Sequence, residues 1–207
     1  MTFVERFIRA KSRTYDIEYE RRISFIKDNF LENFSSGRIL DLGCYKGTLS
    51  NLIPGAEYYG LDKFDFYKGK GKFVKHDLDN GEIPFYSGFF YVVVCTDVLE
   101  HLAFPDKILL EIDRVMMNNG IAIISLPNES GLKGFVERHF ITPRSWDDEK
   151  DFRHLWYFNI NIAQDFVSRV FNIISDKPYS GRILGNIPIL GNSRRLCSSW
   201  FMVCKKK

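Results

Sequence analysis

The chain has 207 residues, 45% hydrophobic and 27% charged, and its 29 Lys and Arg against 26 Asp and Glu leave a formal charge of +3. This length suits one α/β core and does not call for two domains, and the composition excludes disordered, collagen-like and coiled-coil classes. The small, dispersed positive charge forms no basic stripe, so no nucleic-acid partner is expected.

At the N-terminus, "MTFVERFIRAKSR" interrupts its apolar residues with Glu5 and several arginines and lacks the apolar core of a secretory signal. No stretch approaches the roughly 20 apolar residues needed to cross a bilayer. The longest apolar run, within "FFYVVVCTDVL", is broken at Asp97. A cytoplasmic chain with at most peripheral membrane contact is expected. Cys44, Cys95, Cys197 and Cys204 form no C-x-x-C pair, and read as reduced core thiols.

From Tyr15 to Phe34, Ile17, Ile23, Ile26, Phe30 and Leu31 recur at near-helical spacing, which predicts an amphipathic helix within an N-terminal helical segment over 1–36. "RILDL" reads as the first strand, and "KGTLSNLI" opens a helix that Pro54 and Gly55 must stop. "AEYYGLD", "KFVKHD" and "FFYVVVCTD" read as strands two to four, ending in Asp62, Asp77 and Asp97. The last contains a β-branched run, as a strand buried on both faces of a parallel sheet would.

Pro105 can start a helix whose stripe of Ile108, Leu109, Ile112, Val115 and Met116 faces the core, with "NNG" as its stop. "IAIISLP" is the fifth predicted strand. A long irregular stretch over 128–158 follows, then a helix near Ala163 to Val170, a strand at "FNIIS" and a last strand at "SWFMVC". The pattern predicts one doubly wound α/β domain over 1–207, with a lid-like insertion at 128–158.

Three acids at strand ends share the carboxyl edge, where open α/β sheets bind ligands. The glycine turn at Gly43 and Gly47 lets backbone N–H groups approach a ligand closely, and Asp62 is placed to accept hydrogen bonds from ribose hydroxyls. The turn matches neither G-x-G-x-x-G nor G-K-[ST]. Asp41, two residues before Gly43, would repel a pyrophosphate and suits a ligand carrying an ammonium, so an amino-acid-bearing nucleoside is favoured over NAD.

Together, "DLGCYKG", the acid of "GLD", the "HDLD" step and "VCTDVLEHL" resemble a class I S-adenosylmethionine (SAM)-dependent methyltransferase of the type 11 group, over about Arg38 to Pro127. "SWFMVCKK" is similar to that family's last strand. The resemblance implies a Rossmann-like seven-stranded sheet in the order 3-2-1-4-5-7-6, its last strand antiparallel. It implies SAM as cofactor and S-adenosylhomocysteine (SAH) as product. By position, Asp41, Gly43 and Gly47 would surround the methionine moiety, and Asp62, with Lys63 beside it, would take the ribose. Asp77 and Leu78 would meet the adenine, Thr96 and Asp97 would lie below the methionine part, and His101 would stand at the rim. Tyr45 replaces the family's most frequent third glycine. It either narrows the floor of the site or, with negative φ, swings outward.

Methyl transfer from a sulfonium mainly requires alignment and exclusion of water, and a general base is optional. His154 and His101 are the candidate catalytic groups, each weighed against a purely structural hydrogen-bonding role. His76 reads as a strand-end residue on the adenine side and His139 as a solvated one. Arg144 and Arg153 either grip an acidic substrate or pair with nearby Asp147, Asp148, Glu149 and Asp151. Trp146 and Trp156 either stack on substrate or form lid core.

"GRILGNIPILGNSRR" offers an apolar tip for a lipid surface, a dimer contact or packing against the lid. The expected acceptor is a small or lipid-linked molecule, used without a metal by a monomer or homodimer. A catalytically silent SAM-binding or interaction protein is the alternative, and a nicotinamide-dependent oxidoreductase ranks last.

Overall fold

Alternate residues along the central strands enter two different apolar clusters, so the sheet must be covered on both faces. In β1 (Gly37–Leu42) and β4 (Phe90–Thr96), Leu40, Leu42, Val93 and Cys95 face one cluster, whereas Ile39, Val92 and Val94 face the other. The computed structural model describes residues 3–131, 154–180, 182–183, 187–188 and 197–207, and their side chains over 15–131, 154–180 and 197–207.

The sheet is completed by β2 (Ala56–Asp62), β3 (Lys72–Lys75), β5 (Met116–Pro127), β6 (Phe171–Tyr179) and β9 (Ser199–Lys206). Its order is β3-β2-β1-β4-β5-β9-β6, with β9 antiparallel to both neighbours. This is the order and direction that the sequence resemblance implies. Two short strands, β7 (Arg182–Ile183) and β8 (Ile187–Pro188), pair separately. All four cysteines are buried in the core.

Helix α1 (Phe3–Phe30) covers one face together with the single turn α2 (Leu49–Leu52). Tyr19, Ile23 and Ile26 of α1 are buried, and Leu31 follows them into the core. Ile17, assigned to this stripe from spacing, is instead 42% exposed. Burying Ile23 and Ile26 contributes about 1.5 to 3 kcal/mol each, more than an ion pair between partly exposed groups. Apolar packing therefore fixes α1 in place, and its polar residues are presented from a fixed support.

On the other face lie α3 (Pro105–Val115) and α4 (Ile160–Ser168). In α3, Pro105 occupies the first turn, and Ile108, Leu109, Ile112 and Val115 are buried as predicted. In α4, the Asn159 side chain caps the helix by accepting from the N–H of Ile162.

The "NNG" stop for α3 is a correction. The helix gives way at Met116 directly to β5, and Asn118, Asn119 and Gly120 lie inside that strand. Phe90 pairs with Met116 while Val92 pairs with Ile121, so the extra residues form a bulge. Turn-forming residues are used here to absorb excess strand length. Strand β6 also runs past the predicted "FNIIS" to Tyr179; Pro178 is tolerated because β6 is an edge strand.

Gly47 adopts φ +68°, and a Cβ there would lie 2.2 Å from Cε2 of Tyr67. Gly47→Ala should therefore cost about 1 to 3 kcal/mol, read as a lower urea midpoint. An unchanged midpoint would contradict this packing role.

Candidate functional site

Parallel β1 to β4 bring their C-terminal ends to one edge, where the chain forms a cleft. The turn after β1 is tied to β2: the N–H groups of Gly43 and Cys44 donate to the carbonyl of Leu61 at 2.8 and 3.2 Å. Gly43 has φ +68°, and a Cβ there would come within 2.4 Å of Cγ2 of Val98. Glycine is thus required by both conformation and space.

Asp62 organises this edge. Its Oδ2 accepts from the N–H of Tyr45 and its Oδ1 from the N–H of Phe64, both at 2.9 Å. A carboxylate has roughly four lone-pair positions, so two backbone bonds leave capacity for ligand hydroxyls. Tyr45 corrects the expectation of negative φ, since its φ is +47°. A non-glycine residue in this region costs about 1 to 2 kcal/mol, offset here by several contacts. Its hydroxyl donates to Asp16 at 2.9 Å, and its ring meets Tyr15, Tyr19 and Phe66 edge-on. Tyr45 forms an aromatic wall joined to α1.

Tyr15, Gly43, Tyr45, Leu61 to Phe64, Phe66, His76, Leu78, Asp79, Asp97, Val98, His101 and Leu102 line the cleft. It encloses about 130 Å3 and adjoins an open depression of about 520 Å3, which Lys63, Phe64 and His76 share with Lys75, Asp77 and Asn80. The enclosed part is smaller than a typical ligand site of about 300 to 1,000 Å3. Tyr15 and Phe66 at its wall are each about half exposed.

The predicted cofactor residues fall into two groups. Gly43, Tyr45, Asp62, Lys63, Leu78, Asp97 and His101 line the cleft. Asp41, Gly47 and Thr96 lie behind it, while Asp77 borders the open depression and caps the short turn 78–80 by accepting from the N–H of Asp79. Asp41 is buried against Tyr58, whose hydroxyl donates to Oδ2 at 2.5 Å. Burial pushes its carboxyl up to about 7 against the lowering effect of that hydrogen bond.

Asp97 follows β4 with φ +51°. The hydroxyl of Ser125 donates to its Oδ1 at 2.7 Å, and Arg22 of α1 forms an ion pair with its Oδ2. Arg22 eluded sequence reasoning because its distance from "VCTD" along the chain conceals the contact. Tyr15, Phe64 and Phe66 were missed for the complementary reason: aromatics outside a buried stripe, in a loop or on the outer side of a helix, have no periodic signal.

Beyond Asp97, the turn 99–101 carries Glu100 and His101. Glu100 is fully buried, and neither carboxylate oxygen has a hydrogen-bond partner among the described residues. Burial raises its carboxyl to about 7, with nearby His154 acting in the opposite direction. The rings of His101 and His154 meet edge-on with centroids 4.8 Å apart. His154 Nδ1 lies 2.5 Å from Glu129 Oε1, and the N–H groups of Leu155 and Trp156 donate to the carbonyl of Glu100. The two predicted catalytic histidines, distant in sequence, are thus neighbours. Trp156 donates its indole N–H to the carbonyl of Leu102 at 2.9 Å, tying the end of the 128–158 stretch to the site. His139, Arg144, Trp146, Arg153 and most of that stretch lie outside the described residues, as do the side chains of 181–195.

The chain matches the methyltransferase domain family over residues 14–172. It is 25% identical to a ubiquinone biosynthesis O-methyltransferase of Proteus mirabilis over 221 aligned positions, covering 84% of each chain. A SAM-dependent methyltransferase structure from Thermotoga maritima superposes with a TM-score of 0.70 at 14% identity, covering 98% of both chains. Another, from Archaeoglobus fulgidus, gives 0.67 at 17% identity over 90% of this chain and 94% of that one.

Asp41 has a testable consequence. With its carboxyl pushed up to about 7 from an ordinary value of 3.8, the native state retains a proton that the unfolded state releases, so this group lowers stability as pH rises between those values. Asp41→Asn has no proton to lose. Its melting-temperature advantage over the parent should be small at about pH 4 and larger at about pH 8; an advantage independent of pH would contradict the assignment.

Proposed function

Because the chain belongs to the class I SAM-dependent methyltransferases, we propose that it methylates an oxygen of a small molecule at the cleft above β1, β2 and β4. The arrangement of Asp62 carries this reading: backbone bonds hold its carboxylate at the end of β2, with lone pairs remaining for ribose hydroxyls. The residues suit the cofactor. In this reading Asp62 takes the ribose and Leu78, with its neighbours His76 and Asp79, takes the adenine. Gly43 and Asp97 accommodate the methionine end. SAM supplies an electrophilic methyl group when bound.

The chain's own contribution is alignment and exclusion of water. Tyr15, Tyr45 and Phe66 supply an aromatic wall, and the Arg22 ion pair fixes the Asp97 carboxylate. At the rim, His101 and His154 form the acceptor side. The O-methyltransferase named among the relatives supports an oxygen acceptor on a small molecule. No helix among the described residues is long and apolar enough to cross a membrane.

The test is transfer of isotopically labelled methyl from SAM to a panel of phenols, aliphatic alcohols and amines, followed by mass spectrometry. Label should appear on oxygen acceptors. Asp62→Ala should raise the KM for SAM about 10-fold to 100-fold, as expected from losing charge-assisted hydrogen bonds worth about 1.5 to 3 kcal/mol. Labelling of amines alone would overturn the oxygen assignment, and an unchanged KM would overturn the role of Asp62.

A further inference from the structure

The unpartnered carboxylate of Glu100 sits among groups that could neutralise it. Burying an ionised carboxylate without a counter-charge costs several kcal/mol, and both its oxygens lack hydrogen-bond partners among the described residues. Glu100, His101 and His154 each bring a ligating atom within 4.8 Å of the others. Two imidazoles and one carboxylate form a known type of donor set for zinc and related first-row cations.

The distances decide whether such a site is physically reasonable. Ligands bound at about 2.1 Å in tetrahedral geometry lie about 3.4 Å from one another. The donor atoms, within 4.8 Å of one another, close on one cation when a pair draws in by up to about 1.4 Å, a movement shared between two side chains. Glu129 supplies a further feature of metal sites: its carboxylate lies 2.5 Å from His154 Nδ1. A proton held there fixes the tautomer and directs the other nitrogen's lone pair to a cation. The bonds from Leu155 and Trp156 to the Glu100 carbonyl hold the two ligand-bearing segments together before any cation arrives.

We propose that Glu100, His101 and His154 bind a divalent transition-metal cation, with zinc as the reference ion, at the rim of the cofactor cleft. Three protein ligands leave coordination positions open, and His101, which also lines the cleft, connects them to the reaction site. The cation's role rests on the methyltransferase reading. It takes an acceptor bearing a hydroxyl and a second oxygen at chelating distance. Coordination acidifies the hydroxyl: its O–H bond breaks, the proton passes to water and the electron pair stays on oxygen. The oxygen–methyl bond then forms as the methyl–sulfur bond breaks, its electron pair passing to sulfur.

The site is tested by titrating the intact, chelator-treated chain with cobalt(II) and following its visible ligand-field absorption. The signal should saturate at one ion per chain and be lost in Glu100→Gln and His154→Gln, with circular dichroism reporting the fold of each. If one variant fails to fold, the other decides. Absent saturation, or saturation in a folded variant matching the parent, overturns the site. A parallel SAH titration of the metal-free parent reads the cofactor separately. SAH binding without cobalt saturation overturns the cation site alone, whereas cobalt saturation without SAH binding supports the site and overturns its catalytic role.

Discussion

Asp62 is the constraint on which the site depends, because one carboxylate terminates two backbone turns. Its oxygens accept from Tyr45 in the turn after β1 and from Phe64 in the segment after β2. Parallel pairing brings these strand ends together, but the carboxylate holds the loops leaving them at a fixed spacing. The same bonds stabilise the positive φ of Tyr45 and orient Asp62 for further hydrogen bonding. Fold stability and ligand recognition thus meet at one side chain. Substitution at Asp62 perturbs the turn as well as any bound ribose.

The second structural theme is the use of α1 as a wall. Its apolar stripe sits on the sheet, and residues beside that stripe reach the cleft edge. Tyr19 donates to the carbonyl of Cys44, Asp16 receives Tyr45 and Lys46, and Arg22 engages Asp97. The tyrosine at position 45 is accommodated because α1 supplies partners for both its ring and its hydroxyl. A residue that appears disruptive within the glycine turn is compatible with the site once the helix is included.

Strand-ending acids, alternating burial and the glycine turn made the sheet and its functional edge legible in the sequence, since each reflects a local backbone requirement. The resemblance to a known family added the strand order and the antiparallel β9. Contacts between distant segments were not legible. Arg22 meets Asp97, and His101 meets His154, only after the chain folds. Local rules failed at Asn118 to Gly120, where pairing on either side of the bulge overrode a turn-like sequence. Asp41 and Gly47 pack against Tyr58 and Tyr67, partners that their places in the motif do not reveal.

The central claim is that this sheet edge holds an adenosyl amino acid. Calorimetric titration of the purified chain with SAM, using NAD as the control, tests it most directly. The account predicts saturable binding of one SAM per chain at micromolar concentration and no heat of binding from NAD. Absence of SAM binding by a folded chain, or preferential binding of NAD, would contradict it.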